Sequence, residues 1–110
     1  MAMKFNAKYP VNATLKVLSG KWKILILFYL CDGTKRFNEL RRLIPDVTQR
    51  MLTNQLRELE DDKIITRKVH AQVPPKVEYS LTEIGKTLTP ILAQLEKWGS
   101  CYVKKRQLEH

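Results

Sequence analysis

Between Arg36 and Leu81 the spacing of apolar residues changes twice, and few architectures accommodate both changes in so short a span. Phe37, Leu40, Leu43 and Ile44 recur at helical spacing, Pro45 and Asp46 break the pattern, and a second helical pattern opens at Thr48 and runs to about Asp61. Thr48 is a residue type whose side chain caps a helix N-terminus. The segment Ile64-Ile65-Thr66-Arg67-Lys68-Val69-His70 is then β-branched and basic, and Val77-Glu78-Tyr79-Ser80-Leu81 alternates with period two. Ala71 to Lys76 joins them and contains Pro74-Pro75, a stiff tip with no N–H groups to donate. Two short helices across a tight break predict a helix-turn-helix. Followed by a hairpin, it predicts a winged helix.

The flanks supply the rest of the core. Val11, Leu15 and Leu18 predict a first helix over 11–18, with Asn12 as N-cap and Ser19-Gly20 as its close. Trp22 to Cys31 is too apolar for a surface helix and ends at Asp32-Gly33-Thr34, so it predicts a buried central helix. After Thr82, another capping residue, Ile84, Leu88, Ile91, Leu92, Leu95, Trp98 and Tyr102 form a long helical pattern interrupted by Pro90. Either that helix kinks, or Thr89-Pro90 opens a second one. The expected fold is mainly α with a small two-stranded β-hairpin. With 110 residues, 44% of them apolar, and no repeat or long linker, the chain is read as one domain over 1–107. Leu108, Glu109 and His110 read as the stub of an expression tag, which leaves His70 as the one native histidine.

Charge narrows the function. Twenty Lys and Arg against eleven Asp and Glu give a net charge of +9, which suits a polyanion. Nucleic acid is the first such partner and an anionic membrane surface the second. The longest apolar run, Ile24 to Cys31, is eight residues, against about 20 for a membrane span, and no signal-peptide pattern opens the chain, so a soluble, cytoplasmic protein is expected. Cys31 and Cys101 form no CxxC pair, which excludes a disulfide scaffold or zinc knuckle. One native histidine, no Gly-rich phosphate loop and no HExxH or GxSxG leave no basis for an enzyme, a metal or a cofactor. Glu58, Glu60, Asp61 and Asp62 read as a solvated charge run.

On the helix after the break, Leu52, Gln55, Leu56 and Leu59 fall on one side and Arg50, Thr53, Asn54 and Arg57 on the other, with Gln49 near its start. A helix fits the DNA major groove, where Arg suits guanine and Asn or Gln suits adenine. Such a face is otherwise merely solvated; its place on the second helix of a helix-turn-helix favours readout. Lys21, Lys23, Arg36, Arg67, Lys68 and Lys76 can bracket it on phosphates, and Arg67, Lys68, His70 and Lys76 can carry the hairpin to a minor groove or backbone. Asn38 and Thr48 complete the candidate DNA-contacting set. Leu88, Ile91, Leu92, Leu95, Trp98 and Tyr102 form a stripe that would cover a second chain, some of them packing on their own core instead. A two-fold dimer implies a pseudo-palindromic operator. Cys31 reads as a small buried hydrophobe, and Cys101, among Lys97, Lys104 and Lys105, is the candidate redox thiol. A protein-interaction module on an acidic partner and non-specific nucleic-acid binding are the alternatives to a sequence-specific regulator.

The sequence resembles the HxlR family of bacterial winged helix-turn-helix transcriptional regulators, relatives of the MarR type. The resemblance rests on YPVNATLKVLSGKWKILILFYL (9–30), GTKRFNELRRLIPDVTQRMLTNQLRELEDDKI (33–64) and VPPKVEYSLTEIGKTLTPIL (73–92), and covers nearly all of Tyr9 to Gly99. It implies a homodimer built from the N- and C-terminal helices, adding Val11 and Leu15 to the expected interface. It also implies a recognition helix starting near Thr48, a wing around Pro74-Pro75, and binding to an operator. Several members sense oxidants or electrophiles through a cysteine directly before the proline of the first motif; here that residue is Tyr9. A different small-molecule effector, no effector, or a role for Cys101 all stay open.

Overall fold

Ile26, Leu27 and Leu30 are fully buried on one short helix, and the rest of the fold is arranged around it. The computed structural model describes residues 9–108. Their elements are α1 (Pro10–Leu18), α2 (Lys23–Leu30), β1 (Lys35–Arg36), α3 (Phe37–Leu43), α4 (Gln49–Asp61), β2 (Ile65–His70), β3 (Lys76–Leu81), α5 (Glu83–Lys86) and α6 (Thr89–Leu108). The central α2 packs against α4, α6 and β3, and its neighbours contribute Leu40, Leu52, Leu56, Leu59, Ile65 and Leu92 to the same core. Helix-turn-helix and hairpin follow one another as expected, so the winged-helix reading holds.

Caps explain most boundaries. Thr48 Oγ1 accepts the N–H of Met51 at 3.1 Å, which starts α4 where a Thr was expected to start it. Thr82 Oγ1 accepts the N–H of Gly85 at 3.0 Å and donates to the carbonyl of Lys63 at 2.7 Å, tying α5 to the end of the α4 segment. Gly85 lies so close to the Ile64 carbonyl that no side chain fits between them. At Thr87 and Leu88 the chain turns, and Thr89-Pro90 opens α6, so of the two readings of that proline the second is correct.

Two expectations are corrected. Asn12 is not an N-cap: α1 starts at Pro10 with Tyr9 as its N-cap residue, and Asn12 N–H already donates to the Tyr9 carbonyl at 2.9 Å. Proline suits the first helical position because the N–H it lacks would have no partner there. The sheet has three strands rather than two, in the order β1-β3-β2, all antiparallel. Lys35 pairs with Tyr79 and Arg36 with Glu78, so Arg36 is both the end of a strand and the residue that caps α3. Glu39 closes that helix start by accepting the Arg36 N–H at 2.8 Å.

The last helix leaves the core after its first turns. The radius of gyration is 15.6 Å, against about 13 Å for a compact chain of this length, and the longest extent is 53 Å. Glu109 and His110, two of the three residues read as a tag stub, lie outside the described residues; Leu108 ends α6.

Candidate nucleic-acid interface

Recognition of DNA by a helix needs a face free of the core and cations beside it, and both arise here from periodicity. The apolar stripe Leu52, Leu56 and Leu59 turns one side of α4 inward. Gln49, Thr53, Arg57 and Glu60, spaced four, four and three apart, then line one flank, while Arg50 and Asn54 point outward and are exposed. The flank faces a groove of about 720 Å³ whose far wall is the wing: Arg67, Pro74, Pro75, Lys76, Val77 and Tyr79. Arg36, Phe37 and Asn38 close one end. Among the lining residues are Arg36, Arg57, Arg67 and Lys76 and a single acid, Glu60.

The strand alternation sorts the hairpin's cations. Arg67 stands opposite Tyr79, which is buried, so it shares the inner face of the sheet and looks toward α4. Lys68 stands opposite Glu78, and His70 opposite Lys76, on the other face. His70 Nε2 donates to Glu78 Oε1 at 2.6 Å, and Lys76 Nζ lies 3.8 Å from Glu78 Oε2. The carboxyl of Glu78 is thereby held below its ordinary range, first by the hydrogen bond from His70 and then by the charges of Lys76 and Arg36, against the opposing effect of burial. Lys76, at the end of the hairpin, reaches the groove as well.

Of the twelve candidate contact residues, the groove gathers Arg36, Asn38, Gln49, Thr53, Arg57, Arg67 and Lys76. Arg50 and Asn54 extend its α4 wall outward, Thr48 spends its hydroxyl on the helix cap, and Lys68 and His70 face away. Lys23, expected on phosphate, is 3% exposed and bonded to Glu58 at 2.6 Å: it sits on the inward side of α2 rather than its surface. Glu58 is therefore paired rather than merely solvated. Glu60 is a groove residue outside the candidate set: helical spacing puts it on the flank of Gln49, Thr53 and Arg57, and only the wing opposite makes that flank a groove.

Away from the groove residues, α1 and α6 expose apolar side chains. Val11 and Leu15 on α1 and Ile91, Leu95, Trp98 and Tyr102 on α6 are exposed, Trp98 by 67%, and the Trp98 and Tyr102 rings stack at 5.1 Å. Leu92 is a correction to the expected interface: at 2% exposure it belongs to the protomer's own core, since it lies on the first turns of α6 that pack on α2. Leu88 is partly buried against that core. Cys101 is exposed on α6, and Cys31 is half-buried with its sulfur 3.4 Å from Thr89 Oγ1.

The family described as "HxlR-like helix-turn-helix" matches residues 17–107. The chain is 59% identical over 93 residues to the Bacillus subtilis (strain 168) protein "Uncharacterized HTH-type transcriptional regulator YdeP", covering 84% of this chain and 73% of that one. It is 61% identical over 90 residues to "Uncharacterized HTH-type transcriptional regulator YybR" of the same organism, covering 82% and 72%. Among solved structures it is similar to "Redoxregulator HypR in its reduced form", with a TM-score of 0.85, 56% identity, and coverage of 90% of this chain and 98% of that one.

Proposed function

Because the chain belongs to the HxlR-like helix-turn-helix family of transcriptional regulators, we propose that it is a sequence-specific DNA-binding regulator, acting as a homodimer on a two-fold-symmetric operator in the cytoplasm, without enzymatic activity. The observation that carries the reading is the groove between α4 and the wing, lined by four cations and one acid, beside a helix face of Arg, Asn, Gln and Thr. In this reading α4 enters a major groove, Arg50 and Asn54 meet base edges, and the phosphate strand beside that groove lies between α4 and the wing, against Arg57, Arg67 and Lys76. The exposed faces of α1 and α6 supply the dimer contact: apolar side chains of this size on a small protomer are costly to leave in water.

The relative HypR is named a redox regulator; in this chain Tyr9, which has no thiol, precedes Pro10, and Cys101 is the exposed thiol that would carry any redox response.

Fluorescence anisotropy against a duplex enriched by the protein from a random pool, and against its scrambled counterpart, tests the reading across a salt series. Enriched DNA bound tighter by roughly 10³ or more, with a symmetric footprint, is the expected result. Equal, steeply salt-dependent binding to both would replace it with non-specific binding, and no binding to either with a protein-interaction module. Diamide treatment that leaves operator affinity unchanged would remove Cys101 from the scheme.

A further inference from the structure

The geometry points to Lys23 and Glu58 as a positioning pair that sets the rotation of α4 about its own axis, and so which side chains meet the bases; this rests on the DNA-reading role proposed for α4. Lys23 lies in the first turn of α2 with its side chain 4% exposed, and its Nζ is 2.6 Å from Glu58 Oε1. One turn earlier on α4, Gln55 Oε1 accepts the backbone N–H of Trp22 at 3.3 Å. Two neighbouring residues of one helix start thus hold two residues a turn apart on the other, which is a two-point attachment to its side. The preceding turn is shaped for it: a Cβ at Gly20 would stand 2.5 Å from Gln55 Oε1, and Gly20 has a φ of +144°.

The physical argument is one of direction. Apolar contact through Leu52, Leu56 and Leu59 seats α4 on the core but is non-directional. A charged hydrogen bond at this length fixes the direction of both partners as well. Taking an ammonium out of water is unfavourable, and a well-packed apolar residue in its place commonly holds two elements at least as firmly. What the pair adds is orientation. At about 100° per residue Glu58 lies between the buried stripe and the outward Arg50 and Asn54, so a rotation that opened the pair would swing those two side chains.

A double-mutant cycle read as a discrimination ratio tests the assignment. The pool-enriched duplex and its scrambled counterpart are titrated by anisotropy with wild type, Lys23→Met, Glu58→Gln and the double variant, each checked for folding by circular dichroism. If the two residues acted through charge alone, Lys23→Met would weaken and Glu58→Gln would tighten binding to both duplexes, and the ratio would hold. A positioning pair lowers the ratio in both single variants by roughly tenfold, the worth of about one base contact, and no further in the double variant. Glu58→Gln leaves the buried Lys23 ammonium without its counter-charge, whereas the double variant buries no unpaired ion and keeps the assignment testable where a single variant does not fold. An unchanged ratio in a folded variant, or losses that multiply in the double variant, overturns the assignment alone. A wild-type protein that enriches no sequence overturns the regulator reading and this assignment with it.

Discussion

Arg67 and Lys68 are adjacent, equally charged and both exposed, yet the pleat sends them to opposite faces of the sheet. A phosphate strand in the groove meets only the first. Arg67→Ala is therefore expected to weaken binding to every duplex and to lower the slope of log K against log salt by about one, with Lys68→Ala close to wild type in both. Equal losses in an anisotropy salt series would mean that DNA does not lie in the groove. On the outer face, Glu78 provides a test of pH dependence. Its carboxyl is lowered mainly by the hydrogen bond from His70, so the folded-state value lies below the unfolded one. A group shifted in that direction stabilises the fold above the unfolded value, and the contribution fades as pH falls through the folded one. Wild-type melting temperature should drop on acidification below about pH 4.5, and Glu78→Gln should show a smaller drop from a lower neutral-pH starting point. Identical acid profiles for the two proteins would leave the wing's ion cluster without a role in stability.

At the scale of elements, what could be read from sequence depended on the range of the interactions involved. Thr48, Thr82 and Pro90 act on their own neighbours, and α4, α5 and the start of α6 follow from them. β1 is two residues long, too short for alternation to register, and exists because β3 offers it an edge. The burial of Lys23 depends on Glu58, 35 positions away in the sequence, and the place of Glu60 in the groove depends on the wing. Neither partner is visible in local pattern. Gly85 shows the same long-range effect: a glycine ordinarily weakens a helix, but here the Ile64 carbonyl occupies the space a side chain would need. Gly85→Ala should cost about 1–3 kcal/mol in urea unfolding, because backbone on one side and a short helix on the other leave little to relax. A stability within error of wild type would mean that α5 shifts freely. The late turns of α6 behave oppositely. Leu95 and Trp98 are exposed within the protomer, so Leu95→Glu and Trp98→Glu should leave the fold intact and halve the mass seen by light scattering. A dimer that survives both would place the interface elsewhere.

For the whole molecule, an elongated protomer with the candidate recognition groups and an exposed apolar stripe on separate elements would, as the proposed dimer, make a geometric demand on the DNA. Half-sites read by a two-fold dimer lie roughly 34 Å, one DNA turn, apart. In the proposed dimer, two α4 helices tied through α6 would present a fixed spacing and a fixed face to the duplex. Net charge alone, +9 per chain, would make no such demand, since phosphates are available at every phase of the helix. Inserting about five base pairs between the half-sites rotates one of them to the opposite side of the DNA, and binding by the wild-type dimer should fall to the level of a single half-site. The same insertion should leave Leu95→Glu unaffected, because a monomer reads each half-site separately. A wild-type protein indifferent to the insertion would show that protomers bind independently, and the exposed stripe on α6 would then need an occupant other than a second copy.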